Sequence, residues 1–341
     1  MKSQNHIQVS LLIPCYNETS FIEAVIQDIL NQSYTLERME VLFLDGGSTD
    51  GTREILYRAA QNHPMIKWID NPAKYVPQAM NLGIRESRGE ILIRLDAHGS
   101  YPADYVEKLV YWSLKTGAAN VGGIWETRPR ADHPKAKAIA AVLSHPLGVG
   151  NSLFRLGVNE PTEVDTVPFG CYPRAVFDEY GLYDERLIRN QDIELNKRIR
   201  RAGGKIMLIP EVYCIYYARD TFRGMWENNY QTGRWVPLTI VYTGEMGALS
   251  LRHFIPFLFT GYLLCLGIIS CLAIPMIWKS AFAVFLALYL FIISFAAIQI
   301  AKKQGFWTGL YAWIGFHGIH LAYGLGTWQG LLESIWKRKS H

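Results

Sequence analysis

Apolar and polar positions follow two rhythms over the first hundred residues. Runs of branched apolar residues, VSLLIPCYNE (9–18), MEVLFLD (39–45), IKWID (66–70) and EILIRLDA (90–97), read as strands. Between the first two lies TSFIEAVIQDILNQ (19–32), with Phe21, Ile22, Val25, Ile26, Ile29 and Leu30 at helical spacing. TDGTREILYRAAQN (49–62) and VPQAMNLGIRES (76–87) read as two further helices. This alternation predicts an α/β fold, Rossmann-like, with a mostly parallel sheet covered by helices on both faces. Ligands of such sheets bind outside the carboxyl ends of the strands. Three polar groups fall there: Pro14–Glu18, Asp45–Asp50 and Asp96–His98. The least patterned stretch, 128–165, is the place for a mobile loop over that site.

The pattern changes near residue 250. FIPFLFTGYLLCLGIISCLAIPMIW (254–278) and SAFAVFLALYLFIISFAAIQIA (280–301) are almost free of charge and long enough to cross a bilayer. GFWTGLYAWIGFHGIHLAYGLGTW (305–328), rich in glycine and aromatics, suits a third, weaker crossing or an interfacial helix. A cytosolic domain over 1–240, with an interface helix near 219–237, and a membrane domain over 250–341 follow from this division. Arg219, Arg223, Arg234 and Arg252 before the first span, and Lys302–Lys303 after the second, orient both ends to the cytosol. The N-terminus enters a strand directly, so no signal peptide is expected. The net charge of +4 favours an anionic membrane face or a phosphorylated substrate and makes no case for nucleic acid. The scattered cysteines, Cys15, Cys171, Cys214, Cys265 and Cys271, read as free thiols of a reducing compartment.

Four segments carry candidate chemistry. LDGGSTDGT (44–52) joins a strand to a helix through glycines that let backbone N–H groups approach a ligand, with Asp45 as an acceptor for ring N–H or ribose hydroxyls; a plain tight turn is the alternative. It matches neither the G-x-G-x-x-G fingerprint nor a P-loop. Asp96 and His98 stand two apart, so on extended backbone their side chains share a side and suit a divalent cation, the imidazole tilting the choice toward manganese. RNQDIELNKRIRRAGG (189–204) is a helix stopped by Gly203–Gly204; Asp192 in its first turn either complements the helix dipole or serves as a general base. In NNYQTGRW (228–235), Gln231, Arg234 and Trp235 fall on one helical face, where Arg can fork onto phosphate and Trp can plate a sugar ring. An interfacial helix with a snorkelling Arg and an anchoring Trp explains the same pattern.

IPCYNE, DGGSTDGT, DAH, NQDIEL and QTGRW, in this order, resemble the inverting family-2 glycosyltransferases of the GT-A fold, most closely the membrane-associated glucosyltransferases of succinoglycan-type exopolysaccharide assembly. The resemblance implies that Pro14, Tyr16, Glu18, Asp45 and Asp96 cradle the nucleotide and that Asp96 and His98 serve a Mn2+ or Mg2+ ion. It implies that Asp192 is the base and that Gln231, Arg234 and Trp235 close over the diphosphate and acceptor. The implied reaction moves a hexose, glucose favoured, from a UDP-sugar to a polyprenyl-diphosphate-linked saccharide at the inner face of a bacterial cytoplasmic membrane. Other assembly proteins or a second copy of the chain are further expected partners. Two positions depart from the family pattern: His98 replaces a second metal-site acid, and Gln191 replaces the glutamate before the base. A processive synthase of the same fold, and a sugar nucleotidyltransferase, are the alternatives.

Overall fold

The computed structural model describes residues 8–244, 251–273 and 275–339. The chain sets down β1 (Val9–Cys15), α1 (Ile22–Leu30), β2 (Met39–Asp45), α2 (Thr52–Asn62), β3 (Ile66–Asp70), α3 (Val76–Glu86) and β4 (Ile91–Arg94) in strict alternation. Then come β5 (Gly99–Ser100), α4 (Tyr105–Thr116), β6 (Asn120–Pro129), α5 (Pro134–Leu143), α6 (Pro146–Val149) and α7 (Leu153–Leu156). β7 (Thr162–Glu163), β8 (Cys171–Pro173), α8 (Ala175–Tyr180), α9 (Gln191–Arg201) and β9 (Ile206–Ala218) follow. The helices α10 (Phe222–Thr243), α11 (Ile255–Cys271), α12 (Met276–Gln304) and α13 (Phe306–Lys339) end the chain.

The strands form one mixed sheet in the order β3-β2-β1-β4-β8-β6-β9-β5, with β7 also on β9. β3, β2, β1 and β4 are parallel neighbours, and β8 turns the sheet antiparallel against β4. The period-2 alternation decides which side chain faces which layer. Leu11, Ile13, Val41 and Phe43 point toward Ile22, Val25 and Leu56 of α1 and α2, while Leu12, Leu42 and Leu44 point toward Met80 and Ile84 of α3 and Leu195 and Ile199 of α9. Both faces of β1 and β2 are therefore covered, as a parallel sheet requires.

Glu40 is a charged side chain sealed in this layer. At 2% exposed, it accepts hydrogen bonds from Ser10 Oγ at 2.7 Å and Lys67 Nζ at 2.8 Å, and from the Arg88 amide. Burial alone would raise its carboxyl, but the bonds from Lys67, Arg88 and Ser10 outweigh burial and hold it below its ordinary value of 4.5. A group lowered in this way stabilises the fold above its unfolded value and loses that contribution as the pH falls through the folded one. Glu40→Gln should therefore cost about 1–3 kcal/mol at neutral pH, with the cost vanishing in acid. Thermal melts of both proteins from neutral to acid pH check this; a difference that stays constant across the range would refute it.

Two compact units divide the chain. One runs up to Glu126 and resumes over Leu153–Tyr216; the other takes Thr127–Ser152 and continues from Tyr217. The boundary differs from the division expected at residue 240, because α5 and α10 belong with the C-terminal helices. The stretch 128–165, expected to be a mobile loop, holds α5, α6 and α7. α5 packs on α13, with Ala138 and Val142 among Ile293, Ala296, Ala312 and Phe316.

Among the described residues one helix, α12, is long and apolar enough to cross a membrane. Only 17% of its most apolar window is buried, so it presents its side chains outward as a lipid-facing helix does, unlike a soluble core helix. The expected first span, 254–278, becomes the 17-residue α11, which stops at Cys271 before Pro275; at 1.5 Å per residue it falls short of a bilayer core of about 30 Å. The expected third crossing lies in α13, whose glycines serve contact with its neighbours. A methyl group on Gly326 or Gly330 would strike the backbone of Tyr230 or Arg234 in α10. One candidate span thus stands where two or three were expected.

Candidate functional site

The parallel half of the first unit brings the strand ends into line. Cys15 pairs with Asp45 and Asp45 with Asp70, while the Leu95 amide donates to the Leu12 carbonyl at 3.0 Å. The loops after β1 and β2 are laced together beyond that line. The Asn17 amide donates to Ser48 Oγ at 2.8 Å, the Glu18 amide to Thr52 Oγ1 at 2.8 Å, and the Thr49 amide to Asn17 Oδ1 at 2.9 Å. Thr19 completes the lacing through Asp50, donating from its amide at 3.1 Å and its hydroxyl at 2.7 Å.

Asp45 is fully buried at the centre of this rim. Its carboxylate accepts from the Gly47 and Ser48 amides at 3.2 Å, from Ser48 Oγ at 2.5 Å and from Arg53 Nε at 2.7 Å. The expected acceptor for ring N–H or ribose groups is thus occupied here, and Asp45 pins the glycine loop. Gly47, at φ 84°, supplies the left-handed turn that lets the loop fold back over the carboxylate. Tyr16, beyond the end of β1, is the exposed member of the group, while Pro14 stays in register with Leu44 inside the sheet.

Asp96 and His98 follow β4 in a turn, not on extended backbone, yet they do converge. His98 Nε2 lies 3.9 Å from Asp96 Oδ2, and His98 Nδ1 lies 3.0 Å from Glu18 Oε1. A carboxylate on one ring nitrogen leaves the other as a lone-pair donor, which is how proteins orient metal-binding imidazoles. Glu18, expected at the nucleotide, thus also steers His98. Among the described residues no group of three or more His, Cys, Asp or Glu side chains could hold a metal ion by itself. The pair offers one oxygen and one nitrogen, so the donor set fits a cation whose other ligands come from phosphate and water.

Arg94 stands behind Asp96. Its Nη2 donates to Asp96 Oδ1 at 3.3 Å and its guanidinium lies 5.8 Å from the Phe169 ring. Burial would lower the Arg94 guanidinium, but the charges of Asp96 and Asp192 and the buried phenols of Tyr183 and Tyr172 prevail and hold it above its ordinary range. Arg94 is thus held by direct contact at the turn after β4 and lies within the field of the acid in the first turn of α9. Asn190 caps that helix at φ 63°, and the Ile193 amide donates to Asp192 Oδ1 at 2.9 Å. Glu194 is taken up by Arg198 at 2.7 Å, and the charge of Asp192 acts on Arg94. Among the described residues Arg94 Nε and Gln191 Oε1 are buried without a hydrogen-bond partner. Such an atom costs about 1–3 kcal/mol and suits a site completed by ligand hydroxyls.

Sequence reasoning missed Arg94, although one charge inside the apolar run EILIRLDA was the available signal. It also missed the left-handed non-glycine residues Asn17, Lys74, Phe169 and Asn190, all at the ends of elements around this rim. Gln231, Arg234 and Trp235 belong to the second unit. There Gln231 Oε1 lies 3.4 Å from Arg234 Nη1, Trp235 stacks on Tyr242 at 6.3 Å, and Glu333 of α13 grips Arg234 through three hydrogen bonds of 3.0, 3.1 and 2.9 Å.

The model of glycosyl transferase family 2 matches residues 10–181. The succinoglycan biosynthesis protein ExoA of Rhizobium meliloti (strain 1021) is 39% identical over 212 residues, which cover 61% of this chain and 63% of ExoA. A dolichyl N-acetyl-alpha-D-glucosaminyl phosphate 3-beta-D-2,3-diacetamido-2,3-dideoxy-beta-D-glucuronosyltransferase of Methanococcus voltae is 28% identical over 223 residues, 63% of this chain and 68% of that protein. The chain therefore spans just under two thirds of ExoA and just over two thirds of the second relative. Among solved structures, the mannosyltransferase PcManGT of Pyrobaculum calidifontis, in complex with GDP-Man and Mn2+, superposes with a TM-score of 0.60 at 18% identity, covering 97% of this chain and 88% of that one. The fold is GT-A.

Proposed function

The chain belongs to glycosyl transferase family 2, and from that premise we propose that it transfers a hexose, glucose favoured, from a UDP-sugar to a polyprenyl-diphosphate-linked saccharide in exopolysaccharide assembly. The observation that carries this reading is the convergence of Glu18, His98, Asp96 and Arg94 at the carboxyl rim of the parallel strands, with the charge of Asp192 acting on Arg94. The laced loops after β1 and β2 receive the nucleotide, with Tyr16 exposed to it and Asp45 keeping the loop in shape. A divalent cation held by Asp96 and His98, when bound, neutralises charge on the leaving diphosphate. Glu18 sets the His98 ring for that task. Arg94 keeps the Asp96 carboxylate oriented without spending its own charge on solvent. Asp192 accepts the proton of the attacking hydroxyl, and the single displacement inverts the anomeric carbon, so a UDP-α-sugar yields a β-linkage.

The kinship with ExoA favours exopolysaccharide assembly, and α12 favours a chain held at a membrane with its first unit in the cytosol. A panel of UDP-sugars incubated with membranes carrying lipid-linked saccharides, with UDP release as the readout, tests the proposal. Release above the acceptor-free rate for one sugar is the expected result. Equal release with and without acceptor for every sugar would sink it.

A further inference from the structure

Tyr101 carries a hydroxyl at a place where a plain phenyl ring would pack as well. It is 3% exposed and lies in the core of the first unit with Val106 and Leu109, its ring 5.1 Å from that of Tyr105 and 6.5 Å from that of Phe169. Burying a hydroxyl is costly unless it is hydrogen-bonded. Both bonds of this one go to the backbone of Asp96: it accepts from the Asp96 amide at 2.7 Å and donates to the Asp96 carbonyl at 3.0 Å. The phenol oxygen thereby closes the loop DAHGSY (96–101), which carries His98.

The closure has firm footings. The Tyr101 amide donates to Asp28 Oδ2 of α1 at 2.8 Å, and the Pro102 carbonyl accepts from Gln32 Nε2, just past α1, at 2.8 Å. Ala97 is buried in the same core, while Asp96 and His98 on either side of it stay partly exposed at the rim. Gly99 gives the hydroxyl room, since a methyl group there would stand 2.9 Å from the Tyr101 oxygen. A strand continues only while its N–H and C=O groups are free to pair with a neighbour. The phenol takes both of these groups from Asp96, so β4 stops at Arg94 and the chain turns. That turn is what sets His98 Nε2 3.9 Å from Asp96 Oδ2.

We propose that Tyr101 is a positioning residue of the site: by holding the amide and carbonyl of Asp96, its hydroxyl keeps the 96–101 loop in the turn that brings Asp96 and His98 together to hold the cation. The cation rests on the proposed function; the hold on the turn does not. Without the hydroxyl the loop exchanges between this turn and others. Cation affinity then falls in proportion to the fraction of molecules in which the turn is formed.

The full-length protein in detergent micelles, titrated with Mn2+ in the presence of UDP and followed by the paramagnetic resonance of the free ion, tests this. Tyr101→Phe should bind Mn2+ about tenfold more weakly, as when the turn is formed in about a tenth of the molecules. In transfer assays the Mn2+ concentration for half-maximal rate should rise by the same factor, with kcat at saturating Mn2+ within about twofold of the parent. Gly99→Ala, which crowds the oxygen and leaves the ring in the core, should weaken Mn2+ by about threefold. Tyr105→Phe removes the neighbouring hydroxyl and leaves the Asp96 bonds intact; it should lower the melting temperature without changing Mn2+ binding. In metal-free protein, amide hydrogen exchange over residues 95–100 should quicken about tenfold in Tyr101→Phe and stay at the parent rate in Tyr105→Phe. Unaltered exchange in Tyr101→Phe, unaltered Mn2+ affinity where the parent binds the ion, or equal losses in Tyr105→Phe would overturn the inference. Quickened exchange beside a parent that takes up no Mn2+ would sink the cation reading alone.

Discussion

Asp192→Asn is expected to lower kcat by about a thousandfold, within the range a general base contributes, while UDP-sugar affinity should stay within about twofold of the parent. The carboxamide keeps the volume and the acceptor oxygen that takes the Ile193 amide, so the first turn of α9 holds its shape. What it loses is the ability to take a proton. Asp192 also contributes to the field that raises Arg94, yet Asp96, bonded directly at 3.3 Å, remains the closer charge, so the guanidinium stays in place. Steady-state rates with saturating acceptor, beside a direct titration of donor, separate the two effects. A variant turning over within tenfold of the parent would remove Asp192 from the role of base.

Excess chelator is expected to abolish turnover, added Mn2+ to restore the parent, and Asp96→Asn to remain at background after the metal is returned. The reason lies in the small number of donors. With one carboxylate and one imidazole from the protein, losing the anionic ligand leaves a neutral nitrogen to hold a dication against water. Asp96→Asn also frees Arg94 from its direct partner, so melting curves must accompany the rates; the expected stability loss is modest, because the charge of Asp192 still acts on the guanidinium. Rates unchanged in chelator would remove Asp96 and His98 from metal binding. His98→Ala tests Glu18 as well, since it leaves that carboxylate without its ring partner at 3.0 Å.

The parallel strands and the helices between them were legible because their information is local. In β1 and β2 nearly every residue is buried on one face or the other, and α1 shows its inner face as Ile22, Val25, Ile26 and Ile29. The acids of the rim were legible for the same reason, each standing where an apolar run stops. What escaped depends on distant partners. α5, PKAKAIAAVL, is built from small residues with little contrast between its sides, and its packing partner α13 lies more than 160 residues away in sequence. β8 has three residues, too few to show a period. The turn at Asp96–His98 brings together side chains whose spacing suggested a strand, so the convergence was expected for the wrong backbone. Glu333 could not be foreseen, because nothing around it in GLLESIW marks it as the partner of an arginine in QTGRW.

The polypeptide passes between its two units at Glu126–Thr127, at Ser152–Leu153 and at Tyr216–Tyr217. No single cut therefore liberates a self-sufficient enzyme. A fragment ended near residue 240, the natural choice for anyone seeking a soluble version, keeps α5 but discards the Phe316 and Ala312 that shelter Ala138 and Val142. The severed product carries a bare greasy flank into water and invites clumping in the expression host. Whoever purifies this protein is better served by retaining its whole length in micelles than by trimming.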